Sequence, residues 1–173
     1  MMLLKGMAKT FIISDTHFNH TKILTFMDST TGELIRPGFS SVEEMNGCMI
    51  DNWNSVVGPE DKVYHLGDVM MGGKPGDILP NLNGKKTIIF GNHDKIPQLV
   101  PFFKSHYIWR VLREHEVTLS HFPLREDQLR TKWNIHGHIH QNKSPSERHY
   151  NASVEAIDFR PKELEEIISE LCG

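Results

Sequence analysis

Five apolar runs of strand length are each followed at once by polar side chains, and this repeated pattern constrains the fold more than any other feature of the chain. The runs cover residues 10–13, 62–66, 87–90, 117–119 and 133–135. Helical patterns lie between and after them, and strands that alternate with helices are typical of an α/β fold with a largely buried sheet. With 173 residues, 38% of them hydrophobic, the chain is long enough for one sizeable core. We therefore predict a single α/β domain over residues 1–173.

The helical patterns fall at 41–56, 96–104 and 162–171. Ser41 and Glu44 have the spacing of a capping box, which satisfies free backbone N–H groups where a helix begins. Pro97 and Pro101 are expected to interrupt the middle segment, because proline cannot continue the helical hydrogen bonds. The last segment follows Pro161 and carries its apolar residues on one face, as an amphipathic helix does.

Charge and cysteine content narrow the classes of partner. The formal net charge is -3, from 19 basic and 22 acidic residues. Long nucleic acids and anionic membranes are bound by clustered Lys and Arg, so we expect neither as a partner. Cys48 and Cys172 stand far apart, which favours a reducing compartment over a disulfide framework. The apolar stretch within residues 1–9 is too short for a signal-peptide core, and no run approaches membrane-spanning length, so we expect the cytoplasm.

The polar groups behind the five runs are all capable of binding metal or moving protons. Side chains two apart on an extended segment project the same way, so the pairs at 15 and 17 and at 138 and 140 could each reach one ion. Ligands in open α/β sheets gather beyond the carboxyl ends of the strands, so we expect these ends to meet. Glycines at 67, 91 and 137 would permit close backbone approach there. In chain order the polar groups are Asp15 and His17, Asp68, Asn92 with His93 and Asp94, His121, and His138 with His140.

Several of these residues have ordinary alternatives. A single aspartate after a strand, such as Asp68, more often caps a turn, and a single histidine such as His121 is commonly a hydrogen-bonded core or surface residue. Spacing alone leaves open which two of His136, His138 and His140 bind, since all three would share a direction on a strand. Among the other histidines, we interpret residue 65 as packing or supporting the site, residue 20 as facing the substrate or making a loop contact, and residues 106, 115 and 149 as surface groups.

Taken in order, the five polar elements resemble the signature of the calcineurin-like metallophosphoesterase superfamily, which is D-x-H, G-D, G-N-H-[DE], a lone H, and G-H-x-H. The match runs from Asp15 to His140, about three quarters of the chain, and no element is missing. Each element alone is a weak pattern, but five in order, each behind an apolar run, are specific.

The resemblance implies a two-sheet αββα sandwich that carries two divalent transition-metal ions. Imidazole, carboxylate and amide ligands without thiolate favour Mn, Fe, Zn, Ni or Co over Ca or Mg. His93 is implied as the general acid, and we interpret Asp94 as the carboxylate that hydrogen-bonds its far ring nitrogen. The implied ligands are Asp15, His17 and His140 for the first ion, Asn92, His121 and His138 for the second, and Asp68 for both.

The implied activity is hydrolysis of a phosphodiester or phosphomonoester, with hydroxide held by the ions as the nucleophile. We expect a small phosphorylated substrate, with nucleotides among the candidates, and the sequence predicts no particular oligomeric state. Alternatives are a nuclease or cyclic-nucleotide phosphodiesterase with the same chemistry, a non-catalytic binding scaffold of the same fold, and a structural metal protein. The presence of His93 beside a full ligand set weighs against the scaffold.

Overall fold

The computed structural model describes residues 7–173 and is built on two β-sheets. Residues 1–6, which belong to the stretch considered above for a signal peptide, lie outside the described residues. The strands are β1 (Thr10–Ile13), β2 (Lys62–His65), β3 (Lys85–Ile89), β4 (Ser105–Tyr107), β5 (Trp109–Leu112), β6 (Val117–Ser120), β7 (Trp133–His136), β8 (His149–Asn151) and β9 (Lys162–Glu163). The helices are α1 (Val42–Val56), α2 (Pro75–Ile78), α3 (Ile96–Leu99) and α4 (Leu164–Cys172).

The order of strands brings the carboxyl ends of the parallel strands in both sheets to one edge of the molecule. The first sheet runs β4-β3-β2-β1-β9, with β1 to β4 parallel and β9 antiparallel; the second runs β5-β6-β7-β8, with only β5 antiparallel. Ile13 pairs with His65, and His65 with Ile88, so the ends of β1, β2 and β3 are nearly level. The Ser14 N–H donates to the Ala152 carbonyl over 2.8 Å, which joins the two sheets at this edge. The two-sheet α/β class is confirmed.

Alternate side chains of β1 enter two separate cores. Phe11 and Ile13 join a buried cluster with the apolar face of α1, whereas Ile12 joins the cluster between the sheets, which includes Leu119 and Ile135. Successive strand residues point to opposite faces, so a run with no polar residue can be buried on both sides. The helix α4 packs against β1, β8 and β9 and adds apolar side chains to the core between the sheets.

The start of α1 follows the predicted capping pattern with one shift. The Ser41 hydroxyl accepts the Glu44 N–H over 3.1 Å, as expected. The Glu44 carboxylate, however, accepts the N–H of Ser40 over 2.8 Å rather than that of Ser41. The helix therefore begins where the sequence predicts, with the reciprocal contact displaced by one residue.

Other boundaries differ from the prediction for local reasons. The helix predicted at 162–171 begins at Leu164, because Lys162 and Glu163 pair with β1 as β9. The segment predicted at 96–104 divides into α3 and a 3-10 turn at Val100–Phe102, and each piece has a proline in its first turn. Four strands, β4, β5, β8 and β9, were not predicted.

Two further expectations concern compartment and membrane contact. Cys48 and Cys172 are both free. Over residues 7–173, none of the helices combines the length and apolar character needed to cross a membrane.

Candidate metal centre

The carboxyl ends of the strands bring two groups of metal-capable side chains together, as predicted. The first cluster is Asp15, His17 and His140, and the second cluster is Asp68, His121 and His138. Within each cluster the potential ligand atoms all lie within 4.8 Å of one another. Each cluster takes residues from both sheets, because 15, 17 and 68 follow β1 and β2, whereas 121, 138 and 140 follow β6 and β7.

The Asp68 carboxylate lies between the two clusters. Its Oδ2 is 3.6 Å from His17 Nε2 and 3.5 Å from His121 Nε2. Its Oδ1 accepts the backbone N–H of His93 over 2.9 Å, which fixes the rotation of the carboxylate. One oxygen is thus held by the protein, and the other faces a histidine of each cluster.

Asp15 is arranged in the same way, with one oxygen held and one free. Its Oδ2 accepts the His138 N–H over 2.8 Å and the Ser153 hydroxyl over 3.0 Å. Its Oδ1 is buried without a hydrogen-bond partner among the described residues, as are both ring nitrogens of His17. Buried polar atoms are normally paired, so three unpaired atoms in one cluster fit a site that binds a cation.

Burial also sets the protonation of the first cluster. Loss of solvent raises the pKa of the Asp15 carboxyl above its ordinary value. Burial, followed by the charges of His140 and Arg36, lowers the pKa of His17 to about 2. A neutral imidazole is the form that binds metal, so the low pKa keeps His17 in the protonation state that a cation requires.

Two histidines have their ring orientation fixed by oxygen acceptors. His121 Nδ1 lies 2.8 Å from the Leu66 carbonyl, and His140 Nδ1 lies 2.9 Å from Glu155 Oε1. Because a carbonyl or carboxylate can only accept, Nδ1 carries a proton in both rings, and in the neutral tautomer Nε2 then carries the lone pair that a cation would bind. His121 Nε2 then faces Asn92 Oδ1 at 2.9 Å. In that tautomer both atoms are acceptors, and a cation that both would bind fits this contact.

Arg36 and Glu155 are site residues that sequence reasoning missed. Arg36 is 1% exposed and donates to the carbonyls of Asp15 over 2.6 Å and Thr16 over 2.9 Å, and to Glu155 Oε1 over 2.8 Å. Burial acts to raise the pKa of Glu155, but the hydrogen bond from His140 and the charge of Arg36 outweigh it and lower the pKa. Neither residue follows an apolar run, so the pattern that identifies the other site residues does not include them.

The backbone at the ligands is left-handed, which corrects the spacing argument. Residues two apart were expected to point the same way on an extended segment, yet His138 and His140 belong to different clusters. Non-glycine residues rarely adopt positive φ, and such conformations gather at functional sites. The ligands with positive φ are Asp15 (57°), His17 (45°), Asp68 (55°), His138 (71°) and His140 (51°).

Close backbone approach at the predicted glycines is confirmed. A Cβ on Gly137 would lie 2.6 Å from the Ser14 Cβ and would also collide with Asp15 Oδ2. A Cβ on Gly67, which has φ of 99°, would lie 2.7 Å from the Gly91 Cα. Larger residues at these positions would push the ligand-bearing loops apart.

The predicted partnership of His93 and Asp94 is wrong. His93 is exposed, and its ring centroid lies 5.9 Å from that of His17, which places it beside the first cluster. Over the described part of the chain, the Asp94 carboxylate makes no hydrogen bond with the His93 ring. Burial raises the pKa of Asp94, and its oxygens instead accept three backbone N–H groups, those of Gly91 (2.7 Å), Asp68 (3.0 Å) and Val69 (2.9 Å).

The structure decides between the three histidines near the end of β7. His138 and His140 each enter a cluster, whereas His136 is buried elsewhere, with Nε2 at 3.2 Å from the Ser144 hydroxyl. This is the pair that the family pattern implied and that spacing had left open.

Among the histidines outside the clusters, one differs from the prediction. His65 is buried, with Nε2 at 2.9 Å from the Thr16 hydroxyl, in keeping with a supporting position. His20 is half-buried, with its ring centroid 5.5 Å from that of His17. His149, predicted at the surface, is buried because it begins β8 and its Nε2 donates to the Leu124 carbonyl over 2.7 Å.

Comparison with known proteins agrees with this geometry. The family model for calcineurin-like phosphoesterase matches residues 8–170. The chain belongs to this family. It is 36% identical to the uncharacterized protein MJ1445 of Methanocaldococcus jannaschii, over 94% of this chain and 91% of that protein. It is 29% identical to the gene 66 protein of Mycobacterium phage L5, over 78% of each chain.

A solved structure is also similar to this member of the calcineurin-like phosphoesterase family, over almost the whole length of both chains. It is the crystal structure of the protein of unknown function AQ665 from Aquifex aeolicus, with a TM-score of 0.75 and 27% identity. The similarity covers 94% of this chain and 98% of that chain. The residues present therefore suit the two divalent ions typical of the family, in both ligand chemistry and unpaired buried atoms.

Addition of a divalent ion is expected to stabilise the folded protein, because the unpaired atoms of the first cluster gain a partner only when it binds. At 100 times its dissociation constant, Mn²⁺ should add about 2.7 kcal/mol to the free energy of unfolding. Urea unfolding with and without Mn²⁺ measures this gain. The gain should shrink in His17→Ala and persist in His115→Ala, which changes a half-buried histidine outside both clusters. Equal gains in the two variants would contradict the assignment of His17.

Proposed function

We propose that this protein is a dinuclear-metal-dependent phosphoesterase that hydrolyses a phosphodiester or phosphomonoester bond in a small substrate. The observation that carries the proposal is the position of Asp68 Oδ2, 3.6 Å from His17 and 3.5 Å from His121. An ion in each cluster would share this carboxylate, and a shared ligand is what holds two ions close enough to act on one phosphate. Family membership supports the same reaction class.

The first cluster would hold one ion and the second cluster, with Asn92, the other. Nitrogen and oxygen ligands without thiolate favour Mn, Fe, Zn, Ni or Co. Bound ions would neutralise charge on the phosphate and lower the pKa of a coordinated water. Asn92 and His93 are exposed, which leaves an open side for substrate, whereas a purely structural metal site is closed.

His93 is the residue we assign to protonating the leaving oxygen. Its backbone N–H is fixed by Asp68 Oδ1, and its ring lies beside His17 with no hydrogen-bond partner among the described residues. The ring is therefore free to turn toward a substrate bound over the clusters. Asp94 would serve this step by holding the loop backbone through three N–H groups, not by orienting the imidazole.

Phe122 offers a contact for a planar part of the substrate. The residue is 47% exposed, and its ring centroid lies 4.4 Å from that of His138 in the second cluster. An exposed aromatic ring beside a reaction centre suits stacking with a base or another aromatic group. We therefore propose a small phosphorylated substrate with such a group, nucleotides among the candidates, and no long nucleic acid or membrane as partner.

The proposed activity is tested with a panel of esters at saturating Mn²⁺ or Ni²⁺. The panel holds bis-p-nitrophenyl phosphate, p-nitrophenyl phosphate, cyclic nucleotides and dinucleotides. We expect metal-dependent release of product from at least one class, lost in Asp68→Asn, because the shared carboxylate would no longer bind both ions with full charge. Absence of metal-dependent release from every class would overturn the proposed function and favour a binding scaffold.

His93→Ala should slow hydrolysis of substrates with poor leaving groups by about 10²–10⁴-fold, because their leaving oxygen needs a proton as the bond breaks. The effect on p-nitrophenyl esters should be much smaller, since p-nitrophenolate leaves without help. Metal content, measured by elemental analysis, should stay that of the parent protein. A fall in metal content together with the rate would make His93 a ligand and refute its assigned role.

Phe122→Ala should raise KM for esters with an aromatic group, because stacking on the exposed ring is worth about 1–3 kcal/mol per base. The same comparison of KM is made with a small alkyl phosphodiester as substrate, for which we expect little change. Ile108→Ala provides a control at another exposed apolar side chain. If KM for both ester types rises equally, Phe122 supports His138 and does not recognise the substrate.

A further inference from the structure

One buried guanidinium holds the backbone that carries two ligands of the first cluster. Arg36 lies in the loop before α1, and its guanidinium donates to the carbonyls of Asp15 over 2.6 Å and of Thr16 over 2.9 Å. These two peptide groups lie between the side chains of Asp15 and His17, both of which have positive φ. Such strained conformations persist only where the surroundings determine them, and Arg36 supplies that restraint.

The same guanidinium reaches the third ligand through a buried carboxylate. Arg36 Nε donates to Glu155 Oε1 over 2.8 Å, and the same oxygen accepts His140 Nδ1 over 2.9 Å. The side chain of Glu155 is 3% exposed. A carboxylate on the far nitrogen of a metal-binding imidazole fixes its orientation and raises its basicity. All three members of the first cluster are thereby connected to one ion pair.

The second cluster is fixed mainly by other contacts, apart from the hydrogen bond that the His138 backbone N–H donates to Asp15 Oδ2. His121 is oriented by the backbone carbonyl of Leu66, and the loop at Asp68 is held by the Asp94 carboxylate. The hydrogen bonds of Arg36 and Glu155 reach none of its three members among the described residues. The contact at His138 holds its backbone and not its ring, so the effect of the Arg36–Glu155 pair on metal binding should fall on the first cluster.

A contribution to overall stability does not explain the pair. Removing two charges from water costs several kcal/mol per ion, and well-packed apolar residues in place of a buried ion pair are often neutral or stabilising. What apolar residues cannot do is donate to two carbonyls and accept from an imidazole at fixed angles.

We propose that Arg36 and Glu155 are positioning residues that pre-organise the first cluster for its metal ion. The inference rests on the proposed function only in that the first cluster must bind an ion. Arg36 sets the conformation between Asp15 and His17, and Glu155 sets the ring of His140. Loss of such supporting contacts lowers metal affinity by about 10–100-fold in other sites.

The test measures metal affinity in proteins with one cluster disabled. His121→Ala leaves the first cluster intact, and His17→Ala leaves the second. Arg36→Met combined with Glu155→Leu removes both buried charges and is introduced into each background. Isothermal titration with Mn²⁺ should show affinity about 10–100-fold lower in the His121→Ala background and unchanged affinity in the His17→Ala background.

A matched control removes an exposed ion pair in the same way. Lys85 and Glu60 are paired over 2.8 Å at the surface, with side chains 47% and 61% exposed. Lys85→Met combined with Glu60→Leu should leave Mn²⁺ affinity unchanged in both backgrounds. Circular dichroism and urea unfolding without metal establish that each variant is folded before titration.

Each outcome bears on the inference. Unchanged affinity in the His121→Ala background, or an equal loss in both backgrounds, overturns it. If the double variant does not fold without metal, Glu155→Gln is tested in its place. A loss of Mn²⁺ affinity confined to the His121→Ala background supports the inference, and no loss of affinity contradicts it. A His121→Ala protein that binds no Mn²⁺ overturns this inference and the first-cluster assignment together. Metal binding without ester hydrolysis overturns the proposed function alone.

Discussion

The crowding of carboxylates and imidazoles into one small buried volume is the constraint on which the rest of the structure depends. Asp15 and Asp68 are each almost fully buried, and each has one oxygen held by protein donors and one left free. Such groups are costly to bury unless a cation compensates them. The level strand ends, the close-packed glycines and the left-handed ligand residues all serve to place these free atoms within reach of one another.

Much of the centre could be predicted from the sequence, because apolar runs followed by polar groups are local signals. The runs before Asp15 and Asp68 form strands that begin as predicted, and the parallel order brings their ends together. The assignment of His138 and His140 needed the family pattern as well. The turn after β7 is left-handed, and periodicity along an extended strand does not describe such a turn.

The remaining features depend on contacts between distant parts of the chain. Arg36 and Glu155 are 119 residues apart and meet only because β1 and the segment after β8 run side by side. Asp94 lies next to His93 in sequence, yet its carboxylate turns to the backbone of the β2 loop. The strands β4, β5, β8 and β9 carry weak patterns of their own, and pairing with neighbouring strands determines them.

The distribution of ligands over the two sheets has a mechanical consequence. In both clusters, residues that follow β1 or β2 in one sheet meet residues that follow β6 or β7 in the other. A cation in either cluster would act as a cross-link between the two sheets, close to the backbone hydrogen bonds at Ser14. Removal of the cations by chelation would therefore loosen the sandwich along this edge, whereas the packing of α4 against β1, β8 and β9 does not involve them.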